Sequence, residues 1–314
     1  MEGKSKILVT GGAGFIGSHL TDILISEGCR VYIIDNLSTG QRQNIHPGAN
    51  FFKFDIQDKK VEDLFKDIGF DYVFHTAAQV NLRKSVDNPV FDAKTNILGT
   101  LNILENCRKY GIEKIIFSST GGAIYGEAKI VPTPETYEAK PVSPYGVAKL
   151  TIENYLYYYR RVFNLNYTIL RYANVYGPRQ NSLAEAGVVS IFINKILQDE
   201  QPIINGDGLQ TRDYVYVDDV VRANLLAMTV KDIGIYNVAT GQQNTVNQIL
   251  KLVAAGFFDK KVEEKHGPAM LGEQRISCLA IDKINKYLNW QPKISLDQGI
   301  KLTVEWFKQN YDRQ

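Results

Sequence analysis

The chain has 314 residues, 44% hydrophobic and 22% charged, enough for one large domain or two closely joined ones around a substantial core. A formal charge of +2 gives no basic footprint for nucleic acid and no asymmetry toward a membrane. Cys29, Cys107 and Cys278 are odd in number, widely spaced and outside any C-x-x-C or Cys/His cluster, so we expect reduced thiols in a cytoplasmic protein, no disulfide framework and no metal. "MEGKSKILVTGG" enters a strand pattern at once, leaving no room for a signal peptide, and no apolar run approaches the roughly 18 residues of a spanning helix.

In chain order, "KILVTG" (6–11) is an apolar strand ending in glycine, and "FIGSHLTDILISEG" (15–28) has helical spacing with Gly28 as its stop. Strand-like runs follow at 30–35, 50–55, 72–78 and 114–120, separated by helical patterns near 58–68 and 90–110. Strand–helix alternation with fully apolar strands predicts an α/β fold, a doubly wound parallel sheet covered on both faces. After a further strand at 166–177, loops lengthen and carry polar and glycine punctuation. We expect a nucleotide-binding domain over 1–173, rejoined by about 213–240, and a second, smaller mixed α/β substrate domain from 174–212 and 241–314.

"TGGAGFIG" places Gly11, Gly14 and Gly17 between the first strand and the first helix, with Phe15 and Ile16 opening that helix. Asp35 follows 18 residues after Gly17, at the end of the second strand, with Asn36 next to it. Glycines there let backbone N–H groups and a helix N-terminus approach a pyrophosphate, and the carboxylate suits two ribose hydroxyls. It would repel a 2′-phosphate, so NAD is favoured over NADP. Asp55 and Ile56 are candidates for the adenine edge, and the small Ala77 and Ala78 would let the cofactor lie against backbone.

Three tyrosines precede a lysine by four positions: Tyr110–Lys114, Tyr125–Lys129 and Tyr145–Lys149. The first pair straddles Gly111, and the second spans Gly126 and is followed by two prolines. Only the third opens a long helical pattern, "PYGVAKLTIENYLYYYRRVF", where positions i and i+4 share a face. A tyrosine ordinarily loses its proton near pH 10, so a base working at neutrality needs roughly 4 kcal/mol of help from nearby positive charge. A buried lysine beside a nicotinamide site supplies it, and Tyr145–Lys149 is the expected pair. His75 reads as a packing residue.

Together, "GGAGFIG", "FSST", Tyr145-x-x-x-Lys149 and "LRYANVYGPRQ" resemble the extended short-chain dehydrogenase/reductases with their Rossmann-type fold, and within them the UDP-glucose 4-epimerases. The resemblance covers nearly the whole chain, including "GDGLQTRDYVYVDDVVRANLLAM" and "LNWQP". Related dehydratases place Asp-Glu shortly before the tyrosine that corresponds to Tyr125, whereas this chain has "STGGAIYG" with no carboxylate. The resemblance implies bound NAD, a UDP-sugar substrate and a transient 4-keto sugar, with Tyr145 taking the proton of the sugar 4″-hydroxyl. It implies Thr120, with Ser119 as the alternative, as the catalytic hydroxyl, because the loop before Tyr125 is one residue longer than usual. Asn96 and Ala173 would line the cofactor, and Asn174, Val189 and Arg212 the substrate. Met270 stands where the family commonly has a second phosphate-binding arginine, and Arg275 lies five residues on. The helical stretches 90–110 and 147–163 resemble those that pair into an intersubunit four-helix bundle, which implies a homodimer. Ser277 falls where a tyrosine excludes N-acetylated sugars, with Cys278 the alternative register.

Overall fold

A computed structural model describes residues 5–181, 187–230, 233–269 and 274–311, so Met270 lies outside the described residues. Six strands, β1 (Lys6–Thr10), β2 (Arg30–Ile34), β3 (Asn50–Phe52), β4 (Tyr72–His75), β5 (Lys114–Thr120) and β6 (Tyr167–Tyr172), form one sheet with the strand Gly234–Val238. Across the sheet the order is Gly234–Val238, β6, β5, β4, β1, β2, β3, and every neighbouring pair is parallel. The chain starts in the middle and winds outward both ways, as alternation of apolar strands with helices dictates.

Successive side chains of a strand point to opposite faces, and in β1 they feed two separate cores. Ile7 and Val9 join Leu20 and Leu24 of α1 (Phe15–Ser26) and Val220, Ala223 and Ala227 of the helix Val217–Thr229. Leu8 joins Phe65 of α2 (Lys60–Ile68), Ile103 and Leu104 of the helix Gly99–Tyr110, and Ile152 and Leu156 of the long helix Pro144–Phe163. A third cluster, including Tyr176, Phe192, Tyr214, Ile249 and Phe307, gathers the C-terminal helices. Three small sheets accompany it. They pair Asn174–Tyr176 with Tyr214–Tyr216, Thr211–Arg212 with both Asn244–Thr245 and Ile276–Ser277, and Ile203–Asn205 with Lys265–Gly267. Among the described residues no helix is long and apolar enough to cross a membrane.

Three strand expectations need shortening. The third strand ends at Phe52, where a Phe54 N–H to Phe52 carbonyl turn takes the chain out of the ladder before Asp55. The fourth ends at His75, and residues 76–78 are a loop. The run expected over 166–177 breaks at Ala173, because Asn174–Tyr176 leaves the main sheet for Tyr214–Tyr216. The 90–110 helix is continuous but includes a π-helical stretch, Lys94–Leu98.

Candidate active site

At the end of β1 the backbone turns through Gly11 at φ +73°. A Cβ on Gly11 would sit 2.8 Å from the Ala77 nitrogen, and one on Gly17 would sit 2.2 Å from the Gly11 carbonyl oxygen. These two glycines let strand, loop and helix touch backbone to backbone. Gly14 caps α1 with no side-chain partner, and no acidic residue occupies that helix's first turn. A bare positive helix end beside a glycine turn is the cradle a pyrophosphate needs, so the residues present fit a dinucleotide. Phe15 belongs to the third cluster and Ile16 is half-buried behind the turn.

Asp35 is 8% exposed. One carboxylate oxygen accepts the Ala13 N–H at 3.0 Å and the other the Leu37 N–H at 2.8 Å. Burial pushes this acid up, opposed by those two bonds. Each oxygen keeps a lone pair for a hydroxyl donor. Asn36 donates to Asp55 at 2.8 Å, and Asp55 also accepts the Gln57 N–H at 2.9 Å, so these two predicted residues hold each other at the rim. Ile56 is buried in the second core, beneath Gly99. Ala77 and Ala78 are half-buried in the loop after β4, next to the glycine turn.

Asn96 lies inside the π-helical stretch, 3% exposed. Its oxygen accepts the Gln79 N–H at 2.9 Å, and its amide donates to the Gln79 carbonyl and to Asp92, each at 2.9 Å. It therefore fixes the loop that carries Ala77 and Ala78. His75 is fully buried, bonded to Thr10 at 2.8 Å and Thr100 at 2.9 Å, and stacked on Phe117. Burial, helped by Lys149, lowers it to about 3, so it is a neutral core residue as expected.

Ser143 caps the long helix by accepting the Gly146 N–H, and Pro144 fills the first helical position. Tyr145 stands in the first turn, half-buried, and Lys149 one turn later, 5% exposed. The Lys149 ammonium donates to the Ser118 carbonyl at 2.8 Å and lies 5.8 Å from the Tyr145 ring centroid and 4.8 Å from that of Phe117. Burial lowers it to about 8, with Asp92 and Glu153 opposing. The other two pairs are scattered. Tyr110 donates to Glu62, while Lys114 donates to the Ala227 and Val230 carbonyls at the end of the helix Val217–Thr229. Tyr125 is 2% exposed and bonded to Asn237 and Arg171, whereas Lys129 is exposed outside any helix.

The two candidate hydroxyls on β5 have different surroundings. Ser119 is buried and donates to Glu153 at 2.6 Å; Glu153 in turn is gripped by the Arg171 guanidinium at 3.0 and 2.5 Å. Thr120 is half-buried, its oxygen accepts the Ala123 N–H at 3.2 Å, and its O–H is left to donate. Of the two, Thr120 has the free proton.

On the other side, Asn174 is exposed just past β6, and Ala173 precedes it, half-buried, with its N–H on the Val238 carbonyl. Arg212 and Ser277 are register partners across a parallel ladder. Ser277 is 7% exposed and Cys278 1%. Val189 is packed in the third cluster, so a contact from this position comes through the backbone of its helix's first turn. Arg275 forms a two-pronged pair with Asp207 at 2.8 and 2.6 Å, which holds that acid down near 2. Sequence reading missed Asp213. Buried beside Arg212, it accepts from Thr240 N–H and O–H at 2.8 and 2.6 Å and from Gly241 and Leu279 N–H at 2.9 and 3.4 Å. The signal was a carboxylate between Arg212 and the strand-like run "YVYV".

A doubly wound sheet, a glycine turn and a Tyr–Lys helix alongside define a dinucleotide-binding protein of the short-chain dehydrogenase type. Residues 7–239 match the NAD dependent epimerase/dehydratase family, and the chain belongs to it. It is 51% identical to a UDP-glucose 4-epimerase from Thermotoga maritima solved with UDP-glucose, with a TM-score of 0.95 over 98% of this chain and 99% of that one. It is 43% identical to a Thermus thermophilus UDP-glucose 4-epimerase solved in complex with NAD, TM-score 0.91, over 96% and 99%. A UDP-N-acetylglucosamine 4-epimerase from Methanobrevibacter ruminantium is 34% identical, TM-score 0.92, over 98% and 99%.

Proposed function

We infer that the protein is an NAD-dependent epimerase acting at C4 of a UDP-hexose, interconverting UDP-glucose and UDP-galactose through a transient 4-keto sugar. The observation that carries this reading is the Tyr145–Lys149 pair, its ammonium anchored to the Ser118 carbonyl beside the strand end that holds Thr120. NAD, when bound in the glycine cradle, supplies the acceptor and donor of hydride. Tyr145 removes the 4″-hydroxyl proton and later returns it. Lys149 favours the phenolate by charge, and Thr120 steadies the same hydroxyl by hydrogen bonding. Asn174 and Arg212 hold the diphosphate; a guanidinium suits that bidentate grip. Gly11, Gly14 and Gly17 receive the pyrophosphate, and Asp35 the ribose. No carboxylate stands between Thr120 and Tyr125 to eliminate water, which favours epimerisation over dehydration.

In this reading residues 1–173, with 213–240, carry the cofactor, and 174–212 with 241–314 the sugar nucleotide. The enzyme works in the cytoplasm as a homodimer. The long helix exposes Val147, Tyr157 and Val162, and the stretch 90–110 exposes Val90, Phe91 and Leu98, an apolar surface suited to an intersubunit four-helix bundle. A serine at position 277, in place of a bulky ring, leaves room for an N-acetyl group.

The test is to incubate the purified protein with UDP-galactose, UDP-N-acetylgalactosamine and UDP-galacturonate and compare turnover. UDP-glucose should form from UDP-galactose with no net change in NAD. Exclusive use of UDP-galacturonate would overturn the reading.

A further inference from the structure

Gly121 and Gly122 open the short helix Gly121–Ile124 directly after Thr120, and neither has a positive φ. The backbone there would accept any residue at either position. What a side chain would meet differs between the two. A Cβ on Gly121 would lie 2.2 Å from Cδ1 of Leu279, in the small buried cluster of Ile124, Tyr125, Ala239 and Leu279, so the fold requires that glycine. Outside its chain neighbours and its own helix backbone, a Cβ on Gly122 would approach two atoms among the described residues. They are Oδ1 of Asn174 and Oγ1 of Thr120, both at 3.9 Å. That is ordinary contact distance, so packing gives no reason for a glycine at 122. Helical geometry gives none either, because glycine in a helix costs stability against alanine by leaving the unfolded chain more freedom.

The two atoms that flank this space belong to residues assigned to opposite ends of the hexose. Thr120 takes the 4″-hydroxyl and Asn174 the diphosphate, so the sugar lies between them, against the bare backbone of Gly122. In one epimerisation the sugar takes up two poses there. Hydride leaves one face of C4 and returns to the other, so the ring has to turn while its diphosphate stays held. We propose that Gly122 sets the rate of turnover through its missing side chain, which keeps open the room where the 4-keto sugar turns between Thr120 and Asn174. A methyl group at 122 would leave one pose standing and obstruct the passage to the other. The glycine is thus kept for the reaction at the expense of the helix, the reverse of its neighbour Gly121. The proposal rests on the epimerase reading and on the roles of Thr120 and Asn174 in it.

The test compares Gly122→Ala and Gly122→Val with the wild type in stability, UDP affinity and turnover. The alanine variant should melt no lower than the wild type and up to about 2 °C higher, since its backbone is already helical. UDP carries no hexose, and calorimetric titration should find it bound equally by all three proteins. Turnover of UDP-galactose should fall about tenfold in the alanine variant and about a hundredfold in the valine variant, the scale of methyl-sized misfits in a pocket. For Gly122→Ala the loss should lie in kcat with KM little changed, because one pose of the sugar still fits. A rise in KM with kcat kept would mean that the methyl merely crowds the bound sugar. A fall in Tm or in UDP affinity that matches the loss of turnover would make Gly122 a packing residue. Either result overturns the proposal, as does undiminished turnover by Gly122→Val. A wild type that binds UDP but converts no UDP-hexose would instead overturn the epimerase reading, and the proposal with it.

Discussion

In the proposed site, Gly11, Gly14 and Gly17 would shape one end with no side chain at all, whereas Arg212 and Ser277, on two-residue strands, and Asp213 beside them would shape the other. At the first end the fit depends on backbone contacts so close that a single methyl group collides. At the second, the backbone is irregular and one carboxylate ties three distant segments together. The difference predicts where substitutions act. Changes at the glycine end should damage the fold and the cofactor together, while changes at the sugar end should leave the fold standing and alter kinetics.

Between the two ends, Tyr145→Phe should cost about a thousandfold in kcat, within the range for losing a positioned base, while NAD content is kept. Near-normal turnover would remove Tyr145 from the chemistry. Tyr110→Phe and Tyr125→Phe should keep at least about a tenth of activity, by the same comparison. Gly17→Ala sharpens the contrast from the other side. A Cβ 2.2 Å from a carbonyl oxygen must push helix from strand, at about 3 kcal/mol. Differential scanning calorimetry should show a drop of 5 °C or more, about the shift such a loss implies, and cofactor should dissociate. Thr120→Val should lower kcat by about 30-fold, whereas Ser119→Ala should affect Tm more than kcat because its hydroxyl serves Glu153.

At the sugar end, Ser277→Tyr should suppress turnover of UDP-N-acetylglucosamine by about tenfold or more relative to UDP-glucose, the scale of a misfitting pocket. Wild-type turnover on the N-acetylated sugar below about a hundredth of that on UDP-galactose, a gap of ~3 kcal/mol, would contradict the proposed breadth. Asp213→Asn should raise KM by about fivefold with NAD binding unchanged, the loss of roughly one hydrogen bond. A fall in Tm without a change in KM would mean that Asp213 serves the fold alone.

The sheet was legible because its strands are apolar throughout and separated by helical spacing, a pattern few folds share. The glycine turn was legible for a related reason, since backbone approach admits only one residue type there. Strand ends were less so. Asp55 follows three aromatic positions, Phe51, Phe52 and Phe54, and looks like a strand continuation, but a local turn ends the ladder first. The choice between Ser119 and Thr120 was left open by sequence, because only the position of Glu153 one helix away decides which hydroxyl is occupied. The partners of Asp213 were invisible in the sequence, since they come from Thr240, Gly241 and Leu279, which no local spacing encodes.

The hydrogen bonds of Asp213 span 27 residues to Thr240 and 66 to Leu279, whereas the bonds from Gly14 to Gly11 and from Ser18 to Gly14 are local, although Gly11 itself also bonds Ile34 and packs on Ala77. Long closures cost more chain entropy and are completed later in folding. The turn itself should therefore form early, and the segments that Asp213 joins should be among the last to assemble. Under native conditions the amides of Thr240, Gly241 and Leu279 should then exchange with solvent together, through an opening that leaves the central strands protected.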